Sequence, residues 1–444
     1  MGTRRNAQES VPAGGRLVSR TRRLDDAPLS ALVRAAERPH AIWTAPNEPA
    51  VLARGAAAFV TASGTDRFAS VREQAATVFS SIDRPDAAPH VARPRFVGGF
   101  SFHDRHDATG VWDGFPGAGF VLPHVQFTVT DDATYLTVNE YGADATPASV
   151  ERTLDKVAAA ARDTTHGDLA APPGVRRTER TTDRETWRDQ VEQVVERIES
   201  GTLEKAVLAQ SLRAELDGAF SLPDAFDRLA DAYPDCFRFA FRANGGRTFF
   251  GATPERLVTR HGGRLETGAL ASTAPRGDTP AEDDALEADL RNSEKYQHEH
   301  QLVADSIRDQ LDGHARNVAT GDQQVRKLTN VQHLFTPISA DTDDHVLALA
   351  DALHPTPAVG GLPPAAALDA IREIETFDRG WYAAPVGWFD ADGDGTFAVA
   401  LRSAVADDGA ATLFAGNGIV ADSDPDTEWE EVLLKYRPIL DALE

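Results

Sequence analysis

The sequence predicts an α+β chain built on mostly antiparallel sheets. Strand-like runs follow one another without helices between them, as in VGWF, TFAVALRSAV and TLFAGNGIV over residues 386–420. Helical stripes occur as separate blocks, around residues 187–198, 296–307 and 429–436. The glycine pattern that could open a βαβ unit, GNGIVA (416–421), lacks a helix start in the right place. The helix signal falls later, at Asp424–Pro425, where an N-cap is followed by proline.

The chain has 444 residues, enough for a sizeable core, with 41% hydrophobic and 26% charged residues. No apolar run approaches the length of a membrane span. The basic N-terminus has no apolar segment behind it, so residues 1–15 are expected to be a disordered tail and not a secretory signal. The single Cys236 cannot form an internal disulfide, and a reducing cytoplasm is the simplest setting. Net charge is −24, spread along the chain, which disfavours nucleic acid and anionic lipid as partners. Five of the 45 basic residues are lysines, namely Lys156, Lys205, Lys295, Lys327 and Lys435. This balance resembles the solvation of proteins from salt-rich cytoplasm, and it raises the interest of each lysine that remains.

In order along the chain, RFVGGFSF (95–102) and FVLPHVQFTVT (120–130) read as buried strands, and residues 149–163 as a helix. They belong to an expected N-terminal part, residues 16–163. A polar, Thr/Arg/Pro-rich exposed connection (164–182) follows. The region 183–444 opens with a helix carrying Trp187, Val191, Val194, Val195 and Ile198 on one face, ended by Gly201. TLEKAVLAQ (202–210) is a strand.

Lys205 sits inside that strand, between apolar residues on both faces. A partly desolvated lysine can act as a general base; the ordinary alternative is an edge lysine reaching water. In SEKYQHEHQLVADSIRDQL (293–311), Glu299 shares the inward stripe of Tyr296, Val303 and Ile307. An inward carboxylate needs a partner, either a metal ion or an arginine. The flanking His298 and His300 do not match H-E-x-x-H, which argues against zinc. Beyond Asp424, residues Glu428, Glu431 and Lys435 share one helical face, beside Trp429, Leu433 and Tyr436 on an apolar one. They could hold a divalent cation next to an anionic ligand, or form a solvated face with an i,i+4 ion pair. GNGIVA cannot be a dinucleotide site, but its glycines can bring backbone N–H groups close to a carboxylate. DADGDG (390–395) imitates a calcium loop, yet its twelfth position is Leu401, so a hairpin turn is expected.

Taken in order, EKAVLAQ, GATPERLV (251–258), SEKYQHEHQLV, NVQHLF (330–335), HPTPAVGGLPP (354–364), GWYAAPVGW (380–388), FAVALRSAV (397–405) and GNGIVADSDPDTEWEE resemble the signature series of the chorismate-utilising enzymes. The resemblance spans about residues 183–444 and extends weakly through GGFSF and FVLP. It implies two large, mostly antiparallel sheets packed together, ringed by helices, with the site between them. It implies magnesium held by Glu299 and Glu431, with Glu428 nearby. It implies that Lys435 and the Gly416–Gly418 backbone hold the ring carboxylate of chorismate, that Arg402 and Tyr382 bind the enolpyruvyl carboxylate, and that His333 lines the pocket. Lys205 matches a general base that takes a proton from water attacking ring C2. Glu255 matches a general acid that protonates the departing C4 hydroxyl. The two groups need surroundings that push their proton affinities in opposite directions.

Within that family, the branches that aminate chorismate resemble patterns absent here: glutamine in place of Lys205, or lysine in place of Ala271. Ala358 stands where those branches carry threonine. These positions imply isochorismate formation, an isomerase reaction, with salicylate formation as the neighbouring alternative; a quinone precursor route is the expected pathway, and an iron-chelator route is the other. Ser272 departs from the family, which usually has glycine there. No obligatory protein partner is implied. A non-catalytic acidic metal-binding protein would need the carboxylates but not Lys205 with Glu255.

Overall fold

The computed structural model describes residues 14–24, 27–36, 39–85, 88–162, 164, 167–243, 245–327 and 331–444, with the backbone alone at residue 273. The expected tail lies outside the described residues over 1–13, as does Asn330 at the head of NVQHLF.

Hydrophobic alternation at period two dominates the chain, and among the described residues it yields 21 strands beside ten α-helices. All strand pairings are antiparallel except that of Arg16–Leu24 with Ile82–Asp83. The two halves of the sequence interleave. Strand Pro385–Asp390 pairs with Arg95–Phe100, and Phe237–Arg242 pairs with Ala41–Thr44. The sheets are thereby joined into one hydrogen-bonded network.

Alternation sorts side chains into two cores. Trp43, Phe239 and Phe249 face one, built mainly by strands, while their neighbours Ile42, Ala240 and Phe250 face the other. The second core is closed by helices, including Arg184–Glu199 through Trp187, Val191 and Val194. Each fully buried phenylalanine contributes about 1.5–3 kcal/mol of transfer free energy. That helix starts where the Asp183 carboxylate accepts the Thr186 N–H, and stops at Ser200 ahead of Gly201, whose φ of 78° suits glycine. Within the expected connection, Val175–Arg180 forms a largely exposed strand beside Lys205–Leu216. DADGDG is the hairpin turn between Pro385–Asp390 and Gly395–Val399.

The C-terminal helix, Pro425–Leu443, begins as expected, with the Asp424 side chain accepting the Thr427 N–H. Its buried face differs from the expected one. Val432, Tyr436, Ile439, Leu440 and Leu443 are buried, whereas Leu433 is exposed. The run Val432–Leu433–Leu434 is apolar at three successive positions, so periodicity does not fix the phase, and packing against the strands selects Val432. His300 likewise belongs to the interior, with Nε2 2.7 Å from Thr336 Oγ1.

Candidate active site

Five pieces of chain meet around Lys205. The strand Lys205–Leu216 pairs along one edge with Ala410–Ile419, setting Val207 opposite Gly418 and Ala209 opposite Gly416. On its other edge Lys205 and Ala206 pair with Leu362 and Gly361. The helix Glu294–Gln310 packs on the strand Arg264–Pro275 and brings Glu299 in. Strand Thr248–Thr253 ends just before Glu255.

Lys205 is 9% exposed, and its Nζ lies 2.8 Å from Glu299 Oε1. Burial raises the proton affinity of Glu299, but the charge and hydrogen bond of Lys205, with Ser272 and Lys295, outweigh it and hold the carboxyl below its ordinary range. The lysine stem passes directly over Gly418. A Cβ there would stand 2.5 Å from Lys205 Cε and 3.1 Å from Nζ. Glycine at 418 therefore makes room for the lysine, a role that spacing in the sequence does not disclose.

Glu255 is 7% exposed and accepts a hydrogen bond from Thr356 Oγ1 at 3.3 Å. Burial pushes its carboxyl up to about 7, against the opposing effects of Thr356 and the Lys205 charge. Such a group still holds its proton in about half of the molecules at neutrality, which suits a general acid. Tyr382, buried and stacked on Phe414 with centroids 5.5 Å apart, feels the Glu255 charge.

A second group lies at the start of the C-terminal helix. Glu428 accepts hydrogen bonds from Asn417 Nδ2 at 3.0 Å and Ser423 Oγ at 2.8 Å. Burial first, and then the neighbouring charge of Glu431, raise its proton affinity. Lys435 Nζ lies 3.0 Å from Glu431 Oε1, and it donates to Gly416 O at 3.0 Å and Asn417 Oδ1 at 2.6 Å. Residues 416–418 thus touch both groups. His333 faces the charges of Arg402, Lys435 and Arg326. With burial as the chief cause, its imidazole is pushed down to about 3 and stays neutral. Ala358 is half-buried in the loop that carries Thr356.

Glu299, Glu428 and Glu431 do not converge, because each carboxylate is engaged by a nearer donor of the protein itself. Among the described residues, the three-residue group whose donor atoms fall within 4.8 Å of one another is His90, Asp390 and Asp392, at the DADGDG turn. There Arg93 already pairs with Asp392 at 2.6 Å.

Backbone strain collects near the same residues. Five described non-glycine residues have left-handed φ; Asn47 and Asn317 are asparagines, which tolerate it. The others are Ser272 (60°), Ala383 (60°) and Arg402 (47°). Each such residue costs about 1–3 kcal/mol, and strain of this kind clusters at functional sites. Ser272 explains why glycine suits its position. Its hydroxyl, 2.8 Å from Tyr296 O and 3.3 Å from Glu299 Oε2, turns toward Glu299. Sequence reasoning missed Thr356, Asn417 and Ser423, which are polar residues lying inside or beside the motifs it used.

A protein-family model described as "Chorismate binding enzyme" matches residues 5–444. The chain is 35% identical over 390 residues to the isochorismate synthase MenF of Bacillus subtilis, covering 85% of this chain and 82% of that protein. It is 36% identical over 418 residues to the salicylate biosynthesis isochorismate synthase of Pseudomonas aeruginosa, covering 92% and 85%. The solved structure of the menaquinone-specific isochorismate synthase MenF of Escherichia coli has the same fold, with a TM-score of 0.80 at 24% identity over 98% of this chain and 97% of that one. Motif order, fold and relatives agree, and the chain belongs to the chorismate-binding enzyme family.

Proposed function

We propose that this protein converts chorismate to isochorismate, acting as an isomerase of the hydroxymutase type. The observation that carries the reading is a set of two buried groups, the Lys205 amine held at Glu299 and the Glu255 carboxyl pushed up by burial to about 7. Lys205 takes a proton from a water that attacks ring C2. The ring double bonds shift, and the C4 hydroxyl leaves with the Glu255 proton. One water enters and one leaves, so the product is an isomer. Arg402 and Tyr382 hold the enolpyruvyl carboxylate, and Arg402 suits a bidentate contact. Lys435 and the Gly416–Gly418 backbone hold the ring carboxylate beside His333, and Ala358 borders the ring.

The donor set at the site fits magnesium. All three candidate ligands are carboxylates, and burial, with the neighbouring charge of Glu431 adding to it, raises the proton affinity of Glu428. Glu299 and Glu431 would hold the ion, with Glu428 nearby. A bound magnesium would supply positive charge to the ring carboxylate. Among the described residues no helix is long and apolar enough to cross a membrane. We place the enzyme in the cytoplasm, acting on chorismate with no nucleic acid or membrane partner and no obligatory protein partner. We propose a quinone precursor route for the product.

Incubation with chorismate and magnesium, read by mass spectrometry, should give isochorismate. Added ammonium should give no anthranilate or aminodeoxychorismate. Either amine, or salicylate with pyruvate, as the main product would overturn the reading.

A second expected result concerns Gly418→Ala. The new Cβ meets the flexible end of Lys205 and so displaces the amine rather than the sheet. The melting temperature should stay close to that of the parent while turnover falls by about tenfold or more, since a misplaced base forfeits part of its 10²–10⁴-fold contribution. Unimpaired turnover would show that the lysine position over Gly418 is not the productive one.

A further inference from the structure

The Lys205 strand is only partly supported on one edge. Leu362 and Gly361 cover Lys205 and Ala206, the Val207 N–H donates to Gly360 O at 2.9 Å, and Val175–Arg180 pairs again only from Leu212 onward. Between them lies a gap in the sheet. In that gap stands a side-chain ion pair, Glu375 with Arg379, whose side chains are 3% and 0% exposed.

The pair occupies the place of a strand. Arg379 Nη2 donates to Val207 O at 2.6 Å, and Glu375 Oε1 accepts the Ala209 N–H at 2.8 Å. Arg379 Nε donates to Glu375 Oε2 at 2.9 Å, and Nη1 donates to Val359 O at 2.9 Å, in the loop of Thr356 and Ala358. The face of the guanidinium lies 4.3 Å from the centroid of Phe102. The Arg379 carbonyl accepts the Tyr382 N–H at 2.9 Å. One planar fork therefore ties the strand of Lys205 to the loop whose threonine holds Glu255, while the backbone of the same residue holds the turn of Tyr382. Lysine, with a single point charge, cannot make these directions at once.

We propose that Arg379, oriented by Glu375, is a positioning residue that fixes Lys205 relative to Glu255. The proposal rests on the acid–base reading above. The carboxylate-binding side chains Arg402 and Lys435 sit on other elements, and Tyr382 is held by the Arg379 backbone carbonyl, which a side-chain substitution keeps, so loosening the fork acts on turnover more than on substrate affinity.

The test is a double-mutant cycle in the full-length enzyme. Arg379→Lys and Glu375→Gln should each lower kcat by about 10–100-fold, as misplacement of a reacting group by 1 Å does, with KM for chorismate changed less than about threefold. In a Lys205→Ala background the same changes should cost less than about threefold more, because the base they position is gone. Hydrogen exchange without substrate should speed up at residues 205–211 in both variants. Full additivity with Lys205→Ala, or a KM rise at unchanged kcat, would overturn the proposal. If Arg379→Lys fails to fold, Glu375→Gln, which keeps the shape and the acceptor for Ala209, carries the cycle. The exchange readout needs no turnover, so unchanged exchange defeats the positioning idea even if the product proves different. Faster exchange with a different product defeats only the assigned reaction.

Discussion

Replacing Lys205 by alanine should lower kcat by about 10²–10⁴-fold, and Glu255→Gln should do the same, with smaller changes in KM. Both groups are buried, yet the protein treats them differently. The Lys205 amine has Glu299 at 2.8 Å, while Glu255 has a neutral hydroxyl at 3.3 Å and, among the described residues, no ion pair of its own. Lacking an adjacent cation, the Glu255 carboxyl is carried up to about 7 by burial. The acid must be loaded to donate, so its share of the rate is complete well below pH 7. That share falls about tenfold per pH unit above 7 as the proton is lost. Glu255→Gln should erase this alkaline limb. Retention of the limb in Glu255→Gln would assign it to another group. The double variant Lys205→Ala/Glu255→Gln should lose less than the product of the single losses, since the two serve one displacement. Near-normal turnover by Lys205→Ala would show that water is activated elsewhere.

Glu431→Gln should abolish magnesium-dependent turnover while the fold survives, and the loss should exceed about 10²-fold, the upper range seen when only the support of a ligand is removed. The side chain is about half exposed and touches Lys435 at 3.0 Å, so a neutral amide there disturbs no core. Glu299→Gln should act similarly, with the added effect of releasing Lys205. Metal titration followed by calorimetry reads the loss directly. Full activity of Glu431→Gln with an unchanged titration would remove this residue from the metal site.

Much of this site was legible because its residues break local rules. A lysine in a doubly apolar strand and a glutamate on the buried stripe of a helix are conspicuous in a sequence. The start of the C-terminal helix was equally plain from Asp424–Pro425. Other parts depend on pairings that a sequence does not state. Gly418 yields space to Lys205 only because Val207 lies opposite it in the sheet. Leu433 reads as core until packing selects Val432. Glu375 and Arg379, four residues apart on paper, look like an ordinary surface pair. Their burial comes from a gap in a sheet assembled from distant segments. The three acidic residues were legible as neighbours in chemistry, but their present partners, Lys205, Asn417 with Ser423, and Lys435, follow from tertiary geometry.

The interleaving of the two halves of the sequence has a consequence for the life of the chain before it is an enzyme. A chain made from its N-terminus presents Lys205 some two hundred residues before its partner strand Ala410–Ile419 exists. Strand Arg95–Phe100 waits longer still for Pro385–Asp390. Closing such distant contacts is slow, and unpaired strand edges stay open to wrong partners meanwhile. The acid, the base and the carboxylate-binding groups run from Lys205 to Lys435, so no segment that stops short of Lys435 can hold them together. During synthesis the active centre therefore comes into being at the end, in one step with the last strands, and a truncated nascent chain has no partial activity to offer.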